Sequence, residues 1–578
     1  MGRSAGGARR LTTDHGQMTS FDTGNQNLPP VRSADYGAAP RPIIIFGLII
    51  AYCLAHFLIR LFTSPVFSLD EAEQLLMSQS LDWGYRFRHP PLITWIYALA
   101  DMSIGLSRPV FFAIKYIIMA LGLVTFYMAA RIIFRWYDPQ TNRFCDRNDL
   151  SAAALGAWAL VYYPAWGHHE DLMHTVLLFT LLAATLHAFV AALASQSRHD
   201  WIYFGATVGL GFLAKYVHIM LPVALLMAAF SIPVLVRGRP DRNGVYQSSR
   251  LPWTGLTLAL LTALIIAGPY LGWVWMNELS LAGLAQSVTS SQDAAAALAD
   301  PANPIIEALR GRRDGLLSLL QALIEFTLPL PIFFLLLFWP MWVPFVIPFF
   351  PRRFVEEDEN DVIWRRLMLR TMFFGVVIYL GVAALGAETF KARWMHQVLL
   401  PLPIWLFLQV QRSGPYFISM RAFGVLVAIF VVAVGAGRFV EWDQEIKSCN
   451  VAKCRAYLPV ESWARALEDE GFKQGTIVGA EYQLSGNLRH QLKTARVLDA
   501  EFDVDSFPAA GPERGACMAV WRDAPAIPEK LHTYLTDALG INVTETSPQG
   551  AIRRHFLKSE DKATVLYYRY LPPTDSCH

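Results

Sequence analysis

The chain has 578 residues, of which 54% are hydrophobic and 17% are charged, and its formal net charge is +2. A soluble protein of this length usually carries more charge and fewer unbroken apolar runs, so the composition predicts an α-helical, multi-pass membrane protein. The near-neutral charge balance argues against nucleic acid as a partner and leaves membrane lipids as the expected surroundings.

Residues 1–40 are rich in Gly, Ser, Asn and Pro, which predicts a disordered tail. No cleavable signal peptide is expected, because the apolar run that begins at Pro42 is long enough to span a bilayer. Similar runs recur, and we expect about eleven spans. They lie near residues 42–62, 109–131, 150–166, 172–194, 201–217, 219–236, 252–275, 318–349, 367–386, 397–411 and 421–439. Because the run 318–349 is long and contains several prolines, we expect it to be tilted, broken or partly interfacial.

Arginine is concentrated in alternate connecting loops, before the first expected span and after the second, sixth, eighth and tenth. Cytoplasmic loops carry the excess of Lys and Arg, so these loops and the N-terminus are predicted to lie in the cytoplasm. With an odd number of spans, the loop 63–108 and the C-terminal residues 441–578 lie on the opposite, outer side.

The C-terminal residues 441–578 form a polar segment. An even number of its cysteines fits disulfides in an oxidising compartment; they are Cys449, Cys454, Cys517 and Cys577, of which the first two are close enough in CNVAKC to pair. Short β-rich runs alternate with helical runs and predict a small α/β domain. The strands are expected near 476–480, 495–498, 516–521 and 563–570, and the helices near 461–470 and 528–539. Such a domain could cover an active face or recognise an acceptor.

The segment Ser68–Pro91 directly follows the first expected span and is polar. Ser68 and Glu71 form an S-x-x-E capping box, which predicts a helix from Leu69. Its apolar positions recur at helical spacing, so the helix is expected to lie in the membrane interface. Asp70 and Glu71 occupy the first turn, where the helix dipole favours the charged carboxylate. Capping accounts for Glu71, and Asp70 is the candidate general base toward a hydroxyl group.

The end of the same segment is basic. Arg86, Arg88 and His89 precede Pro90 and Pro91, which stiffen the chain into an extended turn. Cationic groups held in this way suit a lipid-linked phosphate. The alternative is that the arginines pair with lipid head groups.

The next outer loop is a cluster of histidines and carboxylates in the sequence GHHEDLMH. Its density allows a divalent metal site, with His168, His169, Glu170 and Asp171 as candidate ligands. The spacing is not that of an HExxH motif, however, so a polar cluster that orients a substrate is the preferred interpretation.

The order of these motifs resembles the bacterial family-39-type glycosyltransferases of the GT-C fold, which include protein O-mannosyltransferases and the lipid A aminoarabinose transferase. Their pattern is Asp-Glu after the first span, followed by Lys-Pro-Pro-Leu. Here the equivalents are Asp70-Glu71 and His89-Pro90-Pro91-Leu92. Since histidine replaces the lysine, Arg88 is expected to supply the permanent charge.

Three later positions extend the resemblance. Asp171, with Glu170 as the alternative, matches an acidic residue in the second outer loop of the family. Lys215 matches the Lys of a Gly-x-x-x-Lys signal, and Arg393 matches an Arg before a Leu-Leu-Pro run. Otherwise, Lys215 would extend to the interface as a snorkelling side chain, and Arg393 would anchor the interface beside a tryptophan.

The resemblance covers residues 42–440 and implies three regions. They are a cytoplasmic tail (1–40), a transmembrane GT-C catalytic domain (41–440) with interfacial helices in 63–108, and a periplasmic α/β domain (441–578). It implies a bacterial inner-membrane enzyme that uses a polyprenyl-phosphate sugar in an inverting single displacement. The implied catalytic residues are Asp70, Asp171 and Glu71, with Glu71 supporting the helix start. The implied donor-phosphate ligands are Arg88, His89, Lys215 and Arg393, and the implied substrate contacts are Arg86, Glu170 and His169. No cofactor is certain, and a divalent metal stays an alternative.

A narrower resemblance bears on the substrate. The sequences LDEAEQ and HPP are similar to those of alphaproteobacterial transferases that modify lipopolysaccharide, including galacturonosyl transferases. A uronic acid donor carries an additional carboxylate, which Arg86 or Arg88 could meet. Lipopolysaccharide core or lipid A is then the expected acceptor, ahead of a protein or another envelope glycan.

Three alternatives stay open at this stage. A protein O-glycosyltransferase would have the same fold. A polyprenyl-lipid transporter would be favoured by charged residues within the spans, of which Lys115 is the clear example. A non-catalytic scaffold is kept open by the change from lysine to His89.

Overall fold

The computed structural model describes residues 40–85, 90–138, 143–170, 173–237, 251–277, 304–346, 359–413, 417–443, 453–511, 515–543 and 546–578. Four of the candidate site residues lie outside these ranges, namely Arg86, Arg88, His89 and Asp171. The described part is mostly helical and also contains a two-stranded hairpin and a five-stranded sheet.

The helices form a long bundle followed by a smaller set in the C-terminal domain. Those before residue 280 are α1 (Pro42–Phe62), α2 (Leu69–Met77), α3 (Leu92–Ile104), α4 (Arg108–Ile133), α5 (Asn148–Gly156), α6 (Tyr162–Ala165), α7 (Met173–Ser195), α8 (Arg198–Ala214), α9 (Met220–Phe230), α10 (Pro233–Arg237) and α11 (Trp253–Met276). The later bundle helices are α12 (Pro304–Thr327), α13 (Leu330–Leu337), α14 (Trp339–Val346), α15 (Glu359–Ala384), α16 (His396–Leu399), α17 (Leu402–Ser413) and α18 (Phe417–Asp443).

Six helices of the described residues are long and apolar enough to cross a bilayer, namely α1, α4, α7, α11, α15 and α18. Other expected spans are shorter or interrupted, so the length criterion gives fewer than about eleven. The run 150–166 is not one helix, because it divides into α5, a 3-10 turn and α6. The run 318–349 is broken as expected. Pro329 and Pro340, which cannot donate a backbone hydrogen bond, lie at its interruptions.

The C-terminal domain is built on a mixed sheet. Its strands are β3 (Gly475–Gly479), β4 (Ala495–Asp499), β5 (Ala516–Arg522), β6 (Gly550–His555) and β7 (Ala563–Leu571), in the spatial order β4-β3-β5-β7-β6. The hairpin β1 (Arg135–Asp138) and β2 (Arg143–Asp146) is separate. Helices α19 (Val460–Asp469), α20 (Tyr482–Gln491) and α21 (Glu529–Thr533) accompany the sheet. The four expected strands and two expected helical regions are all present.

The C-terminal domain contains disulfide bonds. Cys517 on β5 is bonded to Cys577 near the C-terminus. Cys454 is also disulfide-bonded, whereas Cys449, its suggested partner, lies outside the described residues. The oxidising compartment expected for this segment stays a prediction.

The described residues of the loop 63–108 contact the C-terminal domain. Helix α2 packs against α20. A Cβ atom at Gly486 would lie 2.0 Å from the carbonyl oxygen of Ala72, so glycine allows the two backbones to approach. The Gln79 amide donates to the Val497 carbonyl (2.8 Å) and accepts from the Val497 N–H (3.0 Å). It thereby pairs with the edge strand β4, whose open side would otherwise lack partners.

Candidate active site

Helix α2 carries the first acidic pair. It begins at Leu69, and the backbone N–H of Ser68 donates to Glu71 Oε2 at 3.0 Å, which is the glutamate half of the expected capping box. Asp70 is half-buried, whereas the side chain of Glu71 is completely buried. The two neighbouring carboxylates therefore have different surroundings, and Asp70 is the more accessible of the pair.

Glu71 is the centre of a buried ion-pair network. Arg60 on α1 donates to Glu71 Oε2 at 2.6 Å, and Lys115 Nζ on α4 lies 4.0 Å from Glu71 Oε1. Burial acts to raise the pKa of Glu71, but the charges of Arg60 and Lys115 outweigh it and hold this pKa below its usual value. Glu71 is ionised, and its contacts favour a supporting role for it rather than contact with a substrate.

The environment of α2 differs from the sequence-based expectation. We expected one apolar face in the membrane interface, but all residues from Glu71 to Met77 are buried. Val66, Leu76 and Met77 belong to the same hydrophobic core as the C-terminal domain. The apolar face of α2 is covered by protein because α20 packs on it, and an apolar helix face looks the same in sequence whether lipid or protein covers it.

A polar contact that sequence reasoning missed connects α2 to α7. Gln74, one turn after Asp70, hydrogen-bonds through Nε2 to His174 Nε2 at 3.1 Å. The hydroxyl group of Thr94 on α3 donates to Gln74 Oε1 at 2.8 Å. The three side chains are almost fully buried. The available signal was a glutamine on an otherwise apolar helix face and a histidine in the first turn of an apolar span.

Two of the predicted phosphate ligands lie within electrostatic range of the same histidine. The charges of Lys215 and Arg393 both act on His174, and the charge of Lys215 also acts on His396. Lys215 and Arg393 are each half-buried. Arg393 Nε is buried and has no hydrogen-bond partner within the described ranges, so it is available to a ligand.

Lys215 is held by the local geometry of the Gly-x-x-x-Lys motif. It is the C-cap of α8, with φ −166° and ψ 131°, so the chain turns from helix to extended backbone there. A Cβ atom at Gly211 would lie 2.2 Å from the ring of His218, which follows Lys215 by three residues. The motif therefore allows His218 to fold back against α8, and this places Lys215 at the end of the helix.

His168 and His396 fix the position of the Arg393 backbone. His168 Nε2 lies 3.1 Å from His396 Nε2, and His396 Nδ1 lies 2.7 Å from the carbonyl oxygen of Arg393. A carbonyl oxygen accepts only, so His396 Nδ1 donates and the Nε2 of a neutral His396 accepts from His168. Burial, with smaller contributions from His396 and Lys115, holds the pKa of His168 well below its usual range. His168 is therefore a neutral, buried bridge.

His169 and Glu170 do not contact His396 as His168 does, but have other partners. His169 Nε2 lies 2.6 Å from the Tyr52 hydroxyl oxygen, and the His169 ring stacks on His56 at a centroid distance of 3.6 Å. Glu170 accepts from Trp166 Nε1 at 2.9 Å and lies 3.6 Å from Arg438. Because His169 is buried in packing contacts, its predicted contact with a substrate is not supported. Glu170, half-buried, is partly accessible.

The candidate metal ligands do not converge. His168 bonds to His396, His169 to Tyr52, and Glu170 to Trp166 and Arg438. Among the described residues, no group of three or more His, Cys, Asp or Glu side chains is placed to hold a metal ion. Asp171 lies outside those residues, so its expected role in orienting a substrate stays a prediction.

The arrangement combines the features needed for group transfer from an anionic leaving group. A half-buried carboxylate, Asp70, lies on a fixed helix that is hydrogen-bonded to His174. Two cations, Lys215 and Arg393, act on the same histidine. A carboxylate can take a proton from an attacking hydroxyl, and cations can stabilise the negative charge that develops on a departing phosphate.

The chain is similar to known glycosyltransferases. Residues 88–273 match the family described as dolichyl-phosphate-mannose-protein mannosyltransferase. The chain is 27% identical over 530 residues to the lipopolysaccharide core galacturonosyltransferase RgtA of Rhizobium johnstonii, covering 88% of this chain and 93% of the relative. It is 26% identical over 519 residues to RgtB of the same organism, covering 87% and 92%.

A solved structure shares the fold. The crystal structure of ArnT from Cupriavidus metallidurans, bound to undecaprenyl phosphate, superposes with a TM-score of 0.52 at 14% identity. The match covers 91% of this chain and 98% of that one. At this identity the likeness establishes the fold alone. Taken with the sequence relatives, it supports a glycosyltransferase whose fold resembles that of ArnT.

Proposed function

We propose that this glycosyltransferase moves a sugar from a polyprenyl-phosphate donor to the core of lipopolysaccharide, on the periplasmic side of a bacterial inner membrane. The names of RgtA and RgtB support lipopolysaccharide core as the acceptor and galacturonic acid as the sugar. The undecaprenyl phosphate bound to ArnT supports a polyprenyl-phosphate leaving group. Arg86 or Arg88 would meet the uronic acid carboxylate.

The proposal rests on the contact between His174 at the start of α7 and Gln74 on α2, with the cations Lys215 and Arg393 within electrostatic range of that histidine. Lys215 and Arg393 act on His174, and His174 is hydrogen-bonded to the helix that bears Asp70. The buried Gln74–His174 contact thus lies between the helix that carries the proposed base and the proposed phosphate-binding cations. Arg88 and His89 would complete the phosphate site.

The proposed reaction is a single displacement with inversion. The acceptor hydroxyl oxygen forms a bond with the anomeric carbon, and its proton passes to the Asp70 carboxylate. The bond between the anomeric carbon and the phosphate oxygen breaks, and its electron pair remains on the polyprenyl phosphate. Lys215 and Arg393 stabilise that growing charge. Asp171, with Glu170 as the alternative, orients the acceptor, and Glu71 maintains the start of α2.

The buried contacts of Lys115 do not favour the transporter hypothesis. A charged residue in a span marks a transport pathway when it faces a cavity. Lys115 is instead completely buried beside Glu71 and donates to the backbone carbonyl of Glu170. It stabilises the position of α2 and the 167–170 turn, which is a structural role in the same site.

The proposed orientation has the N-terminus in the cytoplasm and the C-terminal domain in the periplasm. Arginine in alternate loops supports the first assignment, and the Cys517–Cys577 disulfide supports the second. The domain then covers α2 from the periplasmic side, which favours a role in closing the active face.

A comparison of envelope glycolipids tests the acceptor and the sugar. Lipopolysaccharide core from cells that lack the protein should lose a hexuronic acid by mass spectrometry, and the parent gene should restore it while an Asp70→Asn gene should not. Identical core profiles with and without the protein would overturn the proposed acceptor. A changed profile of glycosylated proteins instead would favour the protein O-glycosyltransferase.

A further inference from the structure

Gln74 makes the polar link between three helices at the candidate site. Its Oε1 accepts from Thr94 on α3 at 2.8 Å, and its Nε2 contacts His174 on α7 at 3.1 Å. Gln74 is fully buried, and Thr94 and His174 are 2% and 3% exposed. Buried amides of this kind are costly unless both ends are paired. Here both ends of the Gln74 amide have partners, so its orientation is specified.

The position of Gln74 on the helix connects it to Asp70. Residues four apart in an α-helix lie on the same face, one turn above the other. Fixing Gln74 against α3 and α7 therefore fixes the rotation of α2 about its own axis, and with it the direction in which Asp70 projects. The Glu71–Arg60 pair holds the adjacent face of the helix against α1.

The hydrogen bond between Gln74 and His174 also determines the tautomer of the His174 ring. The Gln74 amide nitrogen can only donate, so His174 Nε2 accepts and the proton of the neutral ring lies on Nδ1. His174 is thereby held in one tautomer, within electrostatic range of Lys215 and Arg393. Gln74 thus connects α2, which carries Asp70, to His174 through a hydrogen bond.

We propose that Gln74 is a positioning residue for glycosyl transfer: its Thr94–Gln74–His174 hydrogen bonds orient Asp70 relative to the phosphate-binding cations. This inference rests on the proposed function. It concerns a residue that does not itself touch the reacting atoms. Loss of the Gln74 amide should therefore affect the rate of transfer more than the binding of the donor, which depends on Lys215 and Arg393.

The test uses three variants of the full-length protein, namely Gln74→Leu, His174→Leu and the double variant. Gln74→Leu removes the partner of both the Thr94 hydroxyl and the His174 ring, and His174→Leu removes the partner of the Gln74 amide nitrogen, so each should melt at a lower temperature than the parent. The double variant leaves only the Thr94 hydroxyl without its partner and should be more stable than Gln74→Leu. If positioning is the role, kcat stays at least about tenfold low in all three, while the donor KM of Gln74→Leu changes by less than about threefold.

Gln79→Leu is the matched control, because Gln79 follows the same helix but pairs with the C-terminal domain. It should lower the melting temperature and leave kcat within about threefold of the parent. A double variant that regains parental kcat along with stability would overturn the inference, as would a Gln74→Leu protein with parental kcat. A parent without turnover on undecaprenyl-phosphate-linked galacturonic acid or another such donor would instead overturn the proposed function, and this inference with it.

Discussion

The side-chain amide of Asn487 pairs with the backbone of Phe67 in both directions. Asn487 Oδ1 accepts from the Phe67 N–H at 2.9 Å, and Asn487 Nδ2 donates to the Phe67 carbonyl at 2.8 Å. Phe67 lies two residues before α2 begins at Leu69. A residue of the C-terminal domain therefore holds the chain at the entrance to the helix that carries the proposed base.

Asn487→Asp is expected to weaken this contact. The carboxylate keeps the acceptor but places a second oxygen against the Phe67 carbonyl, so a donor is lost and two acceptors face each other. The expected loss is about 1–3 kcal/mol, with faster amide hydrogen exchange at residues 66–72. Arg553→Lys, on the exposed side of β6, is the control and should exchange like the parent. Unchanged exchange at residues 66–72 in Asn487→Asp would show that the hydrogen bonds between Asn487 and Phe67 are not needed to hold the start of α2.

Glu71→Gln is expected to affect stability more than chemistry. Removing the carboxylate leaves the Arg60 guanidinium buried without its counter-ion, which should cost roughly 3 kcal/mol of unfolding free energy. Turnover per folded molecule should stay within about tenfold of the parent, because Glu71 supports the helix rather than the reaction. Thermal melting and active-site-normalised rates in detergent measure the two effects. A stable Glu71→Gln protein that has lost turnover would assign Glu71 to catalysis.

Gly211→Ala is expected to disturb Lys215. The added methyl group would lie 2.2 Å from the His218 ring, so the ring and the turn containing Lys215 must move. Overpacking of this kind costs about 1–3 kcal/mol. The donor KM should rise about tenfold if phosphate binding loses 1.4 kcal/mol. Gly268→Ala on α11, where a Cβ meets nothing within 4 Å, should leave KM unchanged. Equal KM values for both variants would contradict the role of Lys215.

Asp499 predicts a pH dependence for the C-terminal domain. Burial raises the pKa of Asp499 to about 7, although Ser485 donates to it at 2.5 Å. The folded state then binds a proton that the unfolded state has released above about pH 4. Binding this proton stabilises the folded state, and the stabilisation is lost as the pH rises through the folded-state pKa. The free energy of unfolding of the parent should therefore fall from pH 4 to pH 7 and then level off.

Asp499→Asn should therefore gain stability over the parent as the pH rises. An asparagine can keep partners at Ser485 and at the Glu501 N–H, which donates at 2.9 Å. The gain should be near zero at pH 4 and reach roughly 2–4 kcal/mol above pH 7, since one pKa unit is 1.36 kcal/mol. Melting curves at pH 4.5, 6 and 8 measure it. A constant difference between the two proteins at the three pH values would contradict the elevated pKa.

Local patterns in the sequence predicted much of the fold. Long apolar runs marked α1, α4, α7 and α11, and the S-x-x-E pattern marked the start of α2 at Leu69. Alternation of β-rich and helical runs marked the C-terminal sheet. These features depend on residues close together in the chain, and their physical causes, burial in lipid and capping, act locally.

Long-range contacts were not predictable in the same way. Phe67 and Asn487 are 420 residues apart, and Gln74 and His174 are 100 apart. Neither pair has a sequence pattern that identifies its partner. Lys115 was interpreted only as a charged residue that would favour a transporter, and its position beside Glu71 was not predicted.

Turnover of Asp70→Asn tests the central claim most directly. Purified parent protein, undecaprenyl-phosphate-linked galacturonic acid and lipopolysaccharide core should release undecaprenyl phosphate. Because the variant keeps the size and shape of the side chain but cannot take the acceptor proton, its rate per folded molecule should fall at least about 100-fold. An Asp70→Asn protein that releases undecaprenyl phosphate as fast as the parent would contradict the assignment of Asp70 as the base.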